Sequence, residues 1–199
     1  PYNPILGEQF HCCWAFRESE AQTNVTEYHA EQVSHHPPIC AMAMFNKQRR
    51  FIYTAQGTLN TRFRGNSIDA QVERTHNSVR FFQRGEHYTF TLPGLSARGL
   101  IFGDTRLEHT GSMNVDCQQT GYRATILFEK NNMIRGQIAH VPSNTVVYQI
   151  QGDLANVVYY QQVNASVPSA ASGGAYDTAA TSSQAANIGA NYVLLDVKL

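Results

Sequence analysis

The sequence predicts a mainly β protein: an antiparallel meander that closes as a sandwich or as a barrel. Three observations carry this reading. Residues 39 to about 160 break into short runs rich in β-branched and aromatic residues, several alternating polar with apolar. Turn residues separate the runs at short intervals, as in Arg64-Gly65-Asn66, Arg84-Gly85-Glu86, Pro93-Gly94 and Asn131-Asn132. No long segment shows the 3.6-residue apolar period of a helix.

In chain order, Phe10–Arg17 is apolar enough for a buried element. Arg17–Glu27 is polar and reads as a loop or a short helix. The strand candidates are Phe51–Leu59, Ser67–Val72, Val79–Phe82, His87–Leu92, Met113–Asp116, Gly121–Phe128 and Thr145–Ile150. From Asn164 to about Asn191 the chain holds Ser, Ala, Gly, Thr and Asn with almost no charge. Such a stretch buries too little apolar surface to offset its ordering entropy, so residues 164–191 are expected to be a flexible low-complexity insertion or loop. Tyr192-Val193-Leu194-Leu195 then reads as one more strand.

The 199 residues suit one domain or a large part of one. Hydrophobic residues make up 42% and charged residues 15%, and 15 basic side chains balance 15 acidic ones. A zero net charge argues against a nucleic-acid partner, which needs a basic excess. It leaves room for one local cationic site. Cys12, Cys13, Cys40 and Cys117 show no paired spacing and no CxxC, which points to a reducing compartment and away from a zinc knuckle. With no signal segment and no run of 18 apolar residues, a soluble protein is expected. The chain begins at Pro1 without Met, so a fragment or a processed chain is expected.

The most distinctive stretch is EQVSHHPPI, Glu31 to Ile39. Pro37 pushes His36 to extended geometry, and Pro37 and Pro38 each fix φ near −65° and remove a donor. The pair His35 and His36 therefore sits on a stiff edge, outside the middle of a sheet. Neighbouring side chains on a strand point to opposite faces, so both reach one ligand only if the backbone bends. Imidazole titrates near neutrality, and an adjacent anion draws a proton onto it. With Ser34 as a further donor, the pair makes an anion site, or else it is simply a solvated loop. Metal binding by this pair is not expected, because no acidic or Cys partner stands close in sequence. Catalysis is not expected either: Ser34 beside His35 cannot form a nucleophile–base pair, and there is no G-x-S-x-G, P-loop or G-x-G-x-x-G.

EQVSHHPP at 31–38 resembles the fingerprint of the oxysterol-binding protein family. PYNPILGE at 1–8, FTLPGLSARGLIFG at 90–103, Leu107-Glu108-His109-Thr110-Gly111, and Thr120-Gly121-Tyr122 with Phe128 resemble further family segments. The resemblance covers about residues 1 to 160. It implies part of one lipid-binding domain, an incomplete antiparallel β-barrel around a hydrophobic tunnel. It implies a sterol or phospholipid cargo exchanged for phosphatidylinositol 4-phosphate between membranes, with no cofactor and no enzymatic reaction. The alternative is a phosphoinositide-binding sensor or scaffold that does not transfer lipid. By resemblance His35, His36 and Asn3 contact the phosphoinositide head group. A cytoplasmic protein, peripheral at membranes, follows from the same resemblance.

Several expectations follow from it. Phe51, Tyr53, Phe81, Phe90 and Ile126 are expected to face the tunnel or to pack in an ordinary core. Arg98 is expected at the surface. Gly7 and Glu8 are expected to form a turn and a hydrogen bond. The family's phosphate-binding Lys would precede Pro1, and the family's lid and C-terminal head-group residues find no match. Leu154 stands where a Trp is usual. A barrel lacking these parts exposes apolar lining, so this chain alone is expected to self-associate or to be marginally stable, against which a compact, stable monomer in sedimentation at high concentration would count.

Overall fold

The computed structural model describes residues 4–19, 22–163 and 193–195; Asn3 and the stretch 164–191 lie outside them. The described chain is nearly all strand, apart from one 3₁₀ turn at Lys130–Asn132. The strands are β1 Gln9–Ser19, β2 Gln22–His35, β3 Pro38–Asn46, β4 Phe51–Phe63, β5 Ser67–Phe81, β6 Glu86–Phe90, β7 Gly94–Arg98, β8 Arg106–Cys117, β9 Tyr122–Phe128, β10 Met133–His140, β11 Thr145–Asp153, β12 Val158–Gln162 and β13 Val193–Leu195. All pairings are antiparallel, and all belong to one sheet. The order follows the sequence, as a meander of short connections requires. The single departure lies between β5 and β8. There β6 lies along the Asn77–Phe81 half of β5 and β7 along the Ser67–Ala70 part. The two form one interrupted strand, broken around Pro93, which has no N–H for the ladder.

Three features differ from the sequence reading. Residues 17–19 and 22–27 are neither loop nor helix; they belong to the long β1–β2 pair, with Ala15 opposite Val25 and Trp14 opposite Thr26. The stretch is mostly polar, and a search for apolar runs overlooks such a strand. Ser67–Val72 and Val79–Phe82 are one strand, not two. A bulge at Arg74 and Thr75, opposite Gly57, breaks the alternation between them, with Arg74 at φ 51°. Finally, β3, β10 and β12 were not anticipated. In β3, PICAMAMFN has small or sulfur-containing apolar side chains on both faces and so lacks a period of two.

Turns are held by side chains as well as by backbone. Asn46 ends β3 and is 3% exposed. Its amide donates to Asn24 Oδ1 at 2.5 Å and Thr26 Oγ1 at 2.9 Å, and its carbonyl oxygen accepts the Arg49 N–H at 2.7 Å. These three bonds tie the β3–β4 turn to β2. Asn46→Ala removes them all and is expected to cost about 2–3 kcal/mol, which urea unfolding would read as a lower midpoint at unchanged slope.

Candidate functional site

A ladder partner lies on the same face as the residue opposite it, so the registers define two faces across the sheet. One face is predominantly apolar. It carries Trp14, Tyr28, Met42, Met44, Phe51 and Tyr53 from the first four strands. It continues through Val79, Phe81, Tyr88, Phe90, Val115, Met113, Ala124 and Ile126 to Ile138, Ile150 and Tyr160. The other face carries Thr54, Ser78, Arg80, Thr89, Asp116, Arg123, Gln137, Gln149 and Gln161 at the intervening positions. In β10 the two faces differ visibly: Ile134 is buried and Ile138 half-buried, while Arg135 and Gln137 are exposed.

Phe51, Tyr53, Phe81, Phe90 and Ile126 all lie on the apolar face. Phe51 packs 6.2 Å from Phe81, and Tyr53 stacks 5.6 Å from Phe90. They do not lie in a closed core. Among the described residues only Cys117, Ile134, Val147 and Val158 are buried apolar side chains. Most of the rest of the face is only partly covered, as in a single-layer sheet. Two of the phenols on this face are perturbed. Burial, reinforced by the hydrogen bond from Tyr88 Oη to Glu86 Oε2 at 3.0 Å, raises the Tyr88 pKa; burial and then Tyr28 raise that of Tyr53. Both hydroxyls therefore hold their protons to higher pH than a free tyrosine. A raised folded value stabilises the fold below the unfolded pKa of about 10, and this contribution is lost as pH rises beyond it. Stability in a pH series is therefore expected to fall above about pH 10, and Tyr88→Phe is expected to flatten that fall.

The His pair lies at one end of this surface. His35 pairs with Pro38, so His36 and Pro37 are the two central residues of a tight hairpin turn, joined by a cis peptide. The pair thus ends the ladder between two inner strands, not along a sheet edge as expected from the prolines. The two imidazoles meet edge to face, with ring centroids 4.6 Å apart, and both residues are exposed. The backbone bend required for a shared ligand is present. It begins at a bulge at Val33, between the Gln32–Cys40 and Ser34–Ile39 pairs.

Sequence reasoning missed the residue that organises this bulge. Gln32 is 3% exposed. Its amide donates to the Ser34 carbonyl at 2.6 Å, and its Oε1 accepts from Cys40 Sγ at 2.7 Å. It satisfies a carbonyl next to the bulge and ties β2 to β3 just below the imidazoles. Its backbone is clasped from the other side: Gly7 N–H donates to Gln32 O at 2.8 Å, and Gln32 N–H donates to Glu8 O at 3.1 Å. Glu8 Oε2 accepts the Ile5 N–H at 2.9 Å, closing a turn in which Gly7 takes φ 80°. Gly7 and Glu8 therefore have the structural role expected of them. The turn brings the PILGE segment beside the β2 bulge. Arg98 lies on the polar face. It donates to Glu108 Oε2 at 2.8 Å, while Arg106 donates to Oε1 at 2.7 Å. The hydrogen bond from Arg106, then that from Arg98, holds the Glu108 carboxyl below its usual range against its burial.

A family model described as Oxysterol-binding protein matches residues 1–188. The chain belongs to the oxysterol-binding protein family. It is 38% identical over 154 residues to human (Homo sapiens) oxysterol-binding protein-related protein 8, a match that covers 77% of this chain and 16% of that relative. It is 30% identical over 165 residues to oxysterol-binding protein 10 of Dictyostelium discoideum, covering 79% of this chain and 41% of the relative. The chain thus spans less than half the length of these family members. The fold is similar to that of the Osh1 ORD domain in complex with cholesterol, with a TM-score of 0.67 at 23% identity, covering 82% of this chain and 38% of that one. It is also similar to the Osh3 ORD of Saccharomyces cerevisiae in complex with PI(4)P, with a TM-score of 0.64 at 25% identity, covering 79% and 42%.

Proposed function

We propose that the protein binds one lipid at a time and transfers it between membranes, exchanging a sterol or phospholipid for phosphatidylinositol 4-phosphate. The observation that carries this reading is the continuous apolar face ending at an exposed His pair. An acyl chain or sterol body lies along Tyr53, Phe90 and Ile126, gaining the burial free energy that the uncovered face lacks. His35 and His36 meet the phosphates. Each protonated imidazole offers two N–H donors, and their edge-to-face packing presents them from one point. Gln32 and the bulge hold that point in place, which lowers the entropy cost of binding. Asn3 adds a head-group contact in this reading.

The reaction is binding and release, with no bond made or broken in the lipid, and no nucleic acid takes part. The protein acts at the cytoplasmic surfaces of membranes, as a peripheral visitor and at membrane contact sites. Incubation with liposomes containing phosphatidylinositol 4-phosphate, followed by their removal by centrifugation, tests this. Soluble protein–lipid complex in the supernatant is expected. Protein that sediments with the liposomes and releases no lipid would instead mean a sensor or scaffold.

A further inference from the structure

The β4–β5 turn and the β7–β8 loop lie at the end of the sheet that carries the His hairpin. β3 leaves that hairpin and β4 returns to the same end; β5 and β8 start there, and β7 ends there. The loop presents Leu100, Ile101 and Phe102 to solvent, with Ile101 60% and Phe102 77% exposed. Three consecutive apolar side chains in water are unfavourable, and a loop free to move would turn some of them inward. This loop is held out. Asn66 of the β4–β5 turn accepts the Ile101 and Phe102 N–H groups on Oδ1 at 2.8 and 2.9 Å, and its amide donates to the Phe102 carbonyl at 2.8 Å. The Leu100 N–H donates to the Asn66 carbonyl at 3.3 Å. The base of the loop is closed too. Thr105 Oγ1 donates to the Gly99 carbonyl at 3.0 Å. Gly99, at φ 71°, lies so near Asp104 that a Cβ would meet its carbonyl oxygen at 2.2 Å. The N–H groups of all three apolar residues therefore have partners within the protein. A segment that enters hydrocarbon needs this, because lipid replaces none of the hydrogen bonds that water gives.

The tip continues into the lipid-facing surface. Phe63, Ile68, Ala97 and Leu107 are ladder partners in one row across β4, β5, β7 and β8, beside the turn and the loop. The row lies on the apolar face, an even number of residues from Tyr53 along β4 and from Met113 along β8. Its Phe63, Ile68 and Leu107 are exposed. We propose that Leu100, Ile101 and Phe102 enter the outer lipid layer of a bilayer and dock the open end of the apolar face, with the His hairpin, against it. A lipid then passes between bilayer and protein along the exposed row. The docking is apolar in kind. Arg62, Arg64, Arg98 and Arg106 stand on the strands around the tip, but Asp69, Asp104 and Glu108 stand among them; Arg64 pairs with Asp69, and Arg98 and Arg106 share Glu108. Zwitterionic lipid is therefore sufficient, and added salt changes the docking little. The purpose of the tip rests on the lipid-transfer reading, and the experiment separates the two.

Trp14 is the single tryptophan, so the full chain carrying Trp14→Phe and Phe102→Trp reports on the tip alone. Phosphatidylcholine vesicles are expected to shift its emission to the blue, and brominated acyl chains to quench it. No shift overturns the proposal. So does emission that is already blue without vesicles, which would mean that another segment or a second copy covers the tip. In the otherwise wild-type chain, Ile101→Asp/Phe102→Asp is expected to weaken binding to these vesicles in sedimentation by about a hundredfold, as two apolar side chains returned to water require. Binding of a soluble short-chain phosphatidylinositol 4-phosphate should stay unchanged in that variant. Equal sedimentation of variant and wild type overturns the proposal. Wild-type protein that docks on vesicles and does not bind the short-chain lipid keeps the docking tip and loses the lipid-transfer reading.

Discussion

His35→Ala/His36→Ala is expected to weaken extraction of phosphatidylinositol 4-phosphate from liposomes about a hundredfold while leaving sterol or phospholipid uptake near the wild-type level. The two imidazoles sit at a hairpin tip, where the ladder pairs His35 with Pro38 and with no residue of the apolar face, and offer donors at one point. A hydrogen bond to a charged group contributes about 1.5–3 kcal/mol, and exposed donors take the lower end. Two lost donors then remove about 3 kcal/mol, roughly a hundredfold in affinity. The fold should survive, because both residues are exposed and the turn is held by backbone pairing and by Gln32. Unchanged extraction by the double variant would mean that the motif is scaffold only.

The second large effect is expected from a charge placed on the apolar face. Ile126 lies between Met113 of β8 and Gly136 of β10, near the middle of that face, and is half-buried. Ile126→Arg leaves the ladder intact, because the backbone pairs regardless of side chain. When a lipid covers the face, the guanidinium must lose its water without a partner. An uncompensated buried charge costs about 3–5 kcal/mol, roughly two to four powers of ten in binding. Both lipids should be lost together, unlike in the His variant. Leu127→Arg, one residue on and facing the polar side, is the matched control and should bind normally. Equal loss in the two variants would show that the damage is to folding, and the assigned faces would then explain nothing about binding.

The parts of this architecture legible in the sequence were those with a local signal. Strand texture, turn residues and the EQVSHHPP motif are each readable within about ten positions. What remained hidden depends on register. β3 reads as continuously apolar, and only its pairing with β2 and β4 shows that Met42 and Met44 face one way and Ala41 and Ala43 the other. The β1–β2 pair was obscured because Arg17–Glu27 is mostly polar. Gln32 looks like any strand glutamine until the bulge beside it gives its amide a carbonyl to satisfy. The prolines after His36 were read as an edge because they cannot donate to a ladder; a hairpin tip meets that constraint equally well.

The account rests on a single surface holding one lipid at a time with its head at the His hairpin. Displacement tests this most directly. The protein is loaded with a fluorescent sterol or phospholipid, and soluble phosphatidylinositol 4-phosphate is added while the bound cargo is counted. One molecule of cargo released for each molecule of phosphoinositide bound is the predicted result, and it should disappear in His35→Ala/His36→Ala. Both lipids bound to one protein at once, or phosphoinositide bound with no release of cargo, would contradict it.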